Sequence, residues 1–455
     1  MSGTDAKTQP ASSDRFRVVG PVGAIGIIVA SMVGSGIFTL TGKFGAKVGT
    51  EENVLAAWVI GGVLALCGGL SLAELGAMIP CSGGSVEFAR RAFGKTTGYL
   101  VAMVTILSGY FLSIAAVGLM LAEYVNKVAP EPLSLTGVAV ASIVLAFVSQ
   151  VPGLRAGYAF NTALSLVKIA FVAVFVVAGL VWPFDARLPE AAATAASAHP
   201  GLFSAAVASA TLSVSFAYLG WSTGADIAGD IERPGRNVPI GILGAIGIVF
   251  VLYIGVNLVY LRVMPPSAMT EPDGAPMQAI GAVAATHLFG AAVGRALAGV
   301  IALLFFSTIV SGTITAARIL ESMAVAGEIP AAIGVRTAAG VPLRGLIVTV
   351  VASLASLAIG NLDDIFGLLT VLINVFSSLS VGAVIVLRYK MPDAVRPFRV
   401  PLYPITPIVY LALAAWSIVA SVMEGGWKAI VASIATVALL LVIKPLLGLG
   451  ARHAH

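Results

Sequence analysis

Charge is scarce in this chain. Asp, Glu, Lys and Arg together supply 10% of its 455 residues, against about a quarter in a soluble globular domain. That shortage excludes a set of separate water-solvated domains. Cysteine is nearly absent: Cys67 lies inside an apolar run and Cys81 just after one, which excludes a disulfide framework and a thiolate metal cluster. Histidine is equally thin. His199, His453 and His455 fall in a loop and the C-terminal tail and His287 in a second loop, so no metal and no cofactor is expected. The segment Met1 to Arg17 is polar and lacks the apolar core and cleavage site of a signal peptide. The first apolar run should therefore stay in the mature protein. A net charge of +5 is spread over short loops rather than gathered on one face, which argues against nucleic acid as a partner.

What remains is apolar: 58% of the residues are hydrophobic, with 50 glycines and 23 prolines. Runs near the ~20 residues needed to cross a bilayer recur at 20–42, 54–79, 97–126, 134–151, 157–182, 203–229, 238–263, 290–326, 343–360, 364–388, 402–423 and 428–449. The reading is an all-α polytopic membrane protein with twelve transmembrane helices. Basic residues then choose the sides. With the N-terminus inside, 17 Lys and Arg fall in cytoplasmic segments and 7 outside, with Lys168 and Arg318 left within helices. That bias places both termini in the cytoplasm. Two longer loops, 183–202 and 264–289, fall on the outer side. PCSGGSVEFARRAFGK, from Pro80 to Lys95, reads as a short interfacial helix.

Two spans carry interruptions. The first centres on Gly34-Ser35-Gly36, where glycine lowers helix propensity by ~1 kcal/mol and admits non-helical angles. Small-x-small spacing also serves close helix packing, so the triplet alone fits either use. The sixth span breaks again at Gly220 to Gly224, between Tyr218 and Trp221 and a polar stretch. Two interrupted helices five spans apart point to a five-plus-five inverted repeat with a substrate site at mid-membrane. A turn opened in hydrocarbon must line a cavity or meet a ligand. The amides of Ser35, Gly36 and Ile37 would then face the gap from a helix N-terminus, which suits a carboxylate. Carbonyls near Met32 and from Phe216 through Ala217 and Tyr218 to Leu219 would suit an ammonium group. Anion and cation sites side by side describe an α-amino acid.

VGSGIF at Val33–Phe38, FAYLGW at Phe216–Trp221, DIERPGRNVPIGI at Asp230–Ile242, ARILESMAVAGEIP at Ala317–Pro330 and RPFRVPLYPITP at Arg396–Pro407 together resemble the amino acid-polyamine-organocation (APC) superfamily, in particular its sodium-independent and proton-coupled bacterial amino acid permeases and L-type transporters. The resemblance implies a LeuT-like fold with helices 1 and 6 broken and alternating access. It divides the chain into a cytoplasmic tail, 1–18, a first repeat of helices 1–5, 19–182, an outer loop, 183–202, a second repeat of helices 6–10, 203–390, helices 11 and 12, 391–449, and a cytoplasmic tail, 450–455. It also implies that Ser35 and Gly36 hold a substrate carboxylate, that carbonyls of Met32, Phe216 and Leu219 hold its amine, and that Phe216 or Tyr218 covers the site. Trp221 and Ser222 complete the candidate substrate-binding set.

Lys168, in the middle of an apolar span, costs at least ~2.5 kcal/mol there and is by default functional. Its ammonium could bond freed carbonyls of the first helix or exchange a proton. It resembles the fifth-helix lysine of sodium-independent members, which implies a coupling role and makes protons a candidate partner. Asp226 could recognise a basic side chain, join a gate with Arg318, or be solvated. Tyr110, Ser311 and Asn374 are candidate pocket residues. Ser222 stands where some relatives carry an acid or amide, and Gly229-Asp230 where many have two acids.

The expectation is a secondary active transporter, not an enzyme, in the cell membrane, moving a small or neutral L-amino acid by exchange or proton coupling without sodium. A cationic amino acid or polyamine is the alternative substrate, and an ion channel is the rival class. Hydrolase chemistry needs paired carboxylates, a Ser/His pair or metal ligands at the right depth, and none is evident. The sequence does not read out an oligomeric partner.

Overall fold

A computed structural model describes residues 19–81, 83–151, 154–184, 187–189, 200–271, 274–337, 341–359, 362–423 and 427–451. The expected tails at 1–18 and 452–455 lie outside those residues. The described chain is helical throughout, with isolated bridges at Val19–Ile231 and Thr270–Pro276 and no strand among the described residues. Six helices are long and apolar enough to cross a membrane, and a bent pair makes a seventh. Six shorter apolar helices accompany them. The chain is therefore a multi-pass membrane protein.

The bent pair comes first. Helix α1 spans Pro21–Met32 and α2 spans Gly36–Val48, with a 43° bend between them. Proline at the start of α1 suits a helix beginning, where its missing N–H is an orphan anyway. The expected first span ends at residue 42, but α2 continues to Val48. Lys47 in its last turn complements the negative helix end, and Gly49, at φ 77°, stops it. Thr50 then caps α3 (Glu51–Met78), accepting the Asn53 amide at 3.2 Å, with Glu51 and Glu52 in the first turn.

The expected interfacial helix is α4, Gly84–Phe93. Helices α5 (Lys95–Ile106) and α6 (Ser113–Asn126) form one long span through a π-helical segment, Leu107–Leu112. Next come α7 (Leu135–Gln150), α8 (Leu154–Val181), α9 (Ala205–Ala217), the short α10 (Thr223–Asp226) and α11 (Pro234–Val263). The outer loop expected at 264–289 contains a helix, α12, over Ile280–Phe289. Its IGAVAATHLF buries one small-residue face, which the loop's prolines and acids obscure. His287 therefore lies on α12 rather than in a loop. Five more follow: α13 (Ala291–Val325), α14 (Leu343–Ser356), α15 (Leu362–Lys390), α16 (Ile405–Ser421) and α17 (Trp427–Ala451). Helix α17 runs to Ala451, so residues 450 and 451, expected in the C-terminal tail, are helical.

Helices α1, α3, α9 and α11 pack together around the breaks. Glycine allows the close approach: a side chain at Gly69 of α3 would run into Ile246 of α11. By contrast, the apolar window of α17 is only 11% buried, as a lipid-facing helix at the rim would be.

One ion cluster fastens α3 to α15 and to the segment after it. Glu74 is fully buried. Its carboxylate accepts from Arg388 Nε at 2.9 Å and Nη2 at 2.5 Å and from the Val400 amide at 2.7 Å. Arg396 Nε lies 3.3 Å away, and the Tyr403 ring stacks on Arg388 at 3.7 Å. The Arg396–Pro407 motif is thus an anchor strap. Breaking a buried ion pair from one side costs ~3–5 kcal/mol, and partial solvent access at Arg388 places this one at the low end. Glu74→Ala should lower the thermal midpoint of detergent-solubilised protein well beyond Glu74→Gln. Equal midpoints for Glu74→Ala and the parent would show that the strap bears no load.

Candidate functional site

The two breaks lie against each other. A side chain added at Gly36 would come within 2.7 Å of Ala217 Cβ, and one at Gly220 within 2.8 Å of the Ser31 carbonyl. Gly220 also has φ 115°, a conformation that only glycine adopts without strain. The first helix's break therefore meets both ends of the sixth helix's break, as a shared site requires.

Between α1 and α2, residues Val33, Gly34 and Ser35 leave the helix. Among the described residues, the amides of Ser35, Gly36 and Ile37 find no acceptor. The Ser35 hydroxyl is 1% exposed and has no partner. A buried hydroxyl without a partner is uncommon in a native protein and calls for an explanation such as a bound group. Three amides, one hydroxyl and a helix N-terminus lie together here, a set whose chemistry suits a carboxylate.

The carbonyls are better matched than the sequence suggests. Tyr253 of α11 is fully buried, and its hydroxyl lies 2.8 Å from the Met32 carbonyl and 2.9 Å from that of Ala217, one from each break. The Phe216 carbonyl accepts from the Leu219 amide at 3.0 Å, so Tyr218–Ser222 form compact turns rather than open strand. That hydroxyl has one proton, so the Met32 and Ala217 carbonyls share a single donor, while the Phe216 carbonyl is matched by the main chain. Among the described residues, none donates to the Leu219 carbonyl.

Tyr253 begins a polar line on α11. Asn257 donates to the Tyr253 carbonyl at 2.7 Å and accepts from Thr41 of α2 at 2.5 Å, and Trp58 of α3 donates to that threonine at 2.9 Å. Tyr260 reaches the Ile37 carbonyl at 3.2 Å, and Tyr124 of α6 reaches that of Phe38 at 2.5 Å while accepting from Gly281 of α12 at 3.1 Å. None of these residues was expected from the sequence. The available signal was the spacing of 253, 257 and 260, which puts three polar groups on one face of an apolar helix.

The expected aromatics separate. Tyr218 packs on Trp58 and Tyr253, with ring centroids at 6.0 and 5.0 Å. Trp221 packs on Tyr410 of α16 at 6.1 Å. Phe216, Leu219 and Ser222 are half-buried beside the break, so the geometry leaves Phe216 as the ring near the gap. Lys168 is 4% exposed, and its ammonium donates to Thr308 of α13 at 3.0 Å. The bond is to the eighth apolar run, where the sequence reading expected the first helix.

Asp226 accepts from the Ser85 amide at 3.0 Å and from the Ser85 hydroxyl. Arg318 is exposed on α13. Asn374 of α15 donates to Ser215 of α9 at 2.7 Å and to the Thr370 carbonyl at 2.8 Å. It thus braces the helix that leads into the sixth break. Tyr110, in the π-helical segment, and Ser311 are half-buried. No group of three or more His, Cys, Asp or Glu able to hold a metal occurs among the described residues.

Tyr253→Phe keeps the ring and removes the one donor that two deep carbonyls share, which should cost about 1–3 kcal/mol. Thermal unfolding of the purified variant measures this, and an unchanged midpoint would mean that the hydroxyl joins nothing.

Comparison with known sequences identifies the family. The serine/threonine exchanger SteT of Bacillus subtilis is 27% identical, over 87% of this chain and 88% of its own. The mouse large neutral amino acids transporter small subunit 2 is 26% identical, over 89% of this chain and 76% of its own. The mouse b(0,+)-type amino acid transporter 1 is 27% identical, over 90% and 84% respectively. The sequence profile of the amino acid permease family matches residues 19–441, and the chain belongs to that family, within the APC superfamily.

Proposed function

We propose that this amino acid permease exchanges small or neutral L-amino acids across the cell membrane by alternating access, without sodium and without catalytic chemistry. The observation that carries the reading is the meeting of the two helix breaks, with three amides and the Ser35 hydroxyl unmatched between them. These groups would take the substrate carboxylate, and the Leu219 carbonyl would take its amine. The names of the relatives, a serine/threonine exchanger and a large neutral amino acids transporter, support a neutral substrate.

Side-chain charge supports the same choice. A basic substrate needs an acid at the site, but Asp226 is occupied by Ser85, and the sixth break itself offers only Leu219 and Ser222. We read the bent pair and six of the other helices, together with four shorter apolar helices, as eleven of twelve spans of a five-plus-five inverted repeat, with α9 and α10 forming the remaining broken span. On this reading both termini are cytoplasmic. On the outer side in this reading, Ile37, Phe38 and Leu40 are buried, and the carbonyls of Ile37 and Phe38 accept from Tyr260 and Tyr124.

Reconstituted protein loaded with unlabelled serine should accumulate labelled serine by saturable counterflow without a sodium gradient. Linear, unsaturated flux would favour a channel, and uptake confined to arginine or a polyamine would overturn the neutral assignment. Gly36→Ala should abolish counterflow by pushing the breaks apart.

Lys168 is placed to couple the fifth apolar run to α13, through Thr308, as the site changes shape. Lys168→Ala should express at near-parent levels yet slow exchange by about tenfold or more, the effect of losing one charge-assisted bond of 1.5–3 kcal/mol in the cycle. Parent-level exchange in that variant would remove lysine from the mechanism.

A further inference from the structure

Helix α10 is one turn long, too short to hold its place by its own hydrogen bonds. It follows directly on the break that carries Leu219 and Ser222, so whatever fixes α10 also fixes that side of the site. Helix α10 packs on α1, α3 and α11, and among the described residues the hydrogen bonds that tie it to another helix come from the start of α4. The Gly83 amide donates to the Asp226 carbonyl at 2.8 Å. The Asp226 carboxylate accepts from the Ser85 amide at 3.0 Å and from its hydroxyl. A side chain at Gly84 would collide with the Ala225 carbonyl. Helix α4 lacks a capping side chain of its own, because its N-cap residue is Gly83 in the left-handed region, φ 70°. Asp226 supplies that cap from another helix.

The rest of α4 is held by the long helices. Lys390 of α15 donates to the Ala92 carbonyl at 2.8 Å, closing its C-terminal end. Arg90 pairs with Glu328, just beyond α13, and with Glu87 at 3.1 Å. Helix α4 is thus a bracket between α13, α15 and the inner half of the sixth helix, and Asp226 is its only carboxylate grip on the last of these among the described residues.

We propose that Asp226 is a positioning residue for transport: by capping α4 it holds α10, and with it the inner edge of the substrate break, in binding register. The proposal rests on the transport reading for its consequence but not for its contact. It assigns Asp226 a use within the protein, through the one carboxylate oxygen that serves both Ser85 donors.

Cys81, two residues before Gly83, reports on this joint. Burial, reinforced by the carboxylates of Glu87 and Asp226 against the opposing Arg91, pushes its thiol up to about 11. It therefore reacts slowly at neutral pH unless the segment opens. With Cys67→Ser as background, Cys81 is the only thiol in the chain, and its maleimide labelling rate follows opening. Asp226→Ala should label about five- to tenfold faster, the scale set by loss of one helix cap, and should raise the KM for exchange more than it lowers the maximal rate. Asp226→Asn keeps the acceptor oxygen without the charge, and should restore both values to near the parent. Ser85→Ala, which keeps the amide donor, should fall between, and decides the matter if Asp226→Ala does not fold.

Equal acceleration in the Asn and Ala variants would show that charge alone sets the thiol's reactivity and would overturn the proposal. So would parent-like labelling of Asp226→Ala, or loss of arginine transport confined to Asp226→Asn. Absence of amino acid exchange by the parent would refute the transport reading while leaving the labelling pattern to be judged separately.

Discussion

A peptide group in hydrocarbon has no water to turn to, and this constraint orders the whole molecule. Most of the chain meets it by staying helical. Two segments do not, and they lie back to back through Gly36 and Gly220. What happens to their backbone groups differs by type. Several carbonyls find a tyrosine donor: that of Ile37 in Tyr260, that of Phe38 in Tyr124, and those of Met32 and Ala217 in the one proton of Tyr253, which they share. The amides of Ser35, Gly36 and Ile37 are not met among the described residues. The imbalance gives the gap a donor-rich, electropositive character, so its demand for an anion comes from the fold before any charged side chain takes part.

The tyrosines also explain how two glycine-weakened helices keep a fixed geometry. Tyr253, Asn257 and Tyr260 rise along one face of α11, and each touches a different part of the opened first helix, directly or through Thr41. Removing glycine's conformational freedom from one side would be pointless without such a brace, because an unwound turn left to itself samples many shapes. Freedom in the glycines and stiffness in α11 act together. The first lets the backbone open, and the second chooses which opening persists.

Part of this was legible in the sequence and part was not. Gly34-Ser35-Gly36 stands out because a hydroxyl between two glycines in an apolar run admits few explanations, and the structure opens the helix there. The charge at Lys168 is equally visible, since hydrocarbon makes any ammonium conspicuous. Its partner is not: Thr308 sits in a different span, and a threonine in an apolar run looks like filler. Tyr253 is hidden for a related reason. The groups it serves are main-chain carbonyls of Met32 and Ala217, whose side chains carry no signal. Lys43 and Lys47 read as loop because they are charged, yet they belong to α2, where Lys47 favours the helix end. Helix α12 is hidden by the prolines and acids before it.

The two acids held deep in the described structure show how far charge alone can mislead about function. Glu74 and Asp226 both interrupt otherwise apolar or small-residue segments, and by default an acid at such depth suggests a substrate or proton. Each is instead committed to protein donors. Glu74 binds Arg388 and the Val400 amide, and Asp226 binds the start of α4. With both acids so occupied, the remaining recognition at the breaks is main-chain, and main-chain groups distinguish the carboxylate and ammonium shared by all amino acids rather than their side chains. On the proposed transport reading, selectivity then comes from the volume beside Phe216, Leu219 and Ser222, which are apolar or merely hydroxylic. A pocket of that chemistry gains little from a cationic side chain and would leave its charge unpaired in a low-dielectric setting, so it favours a small neutral one.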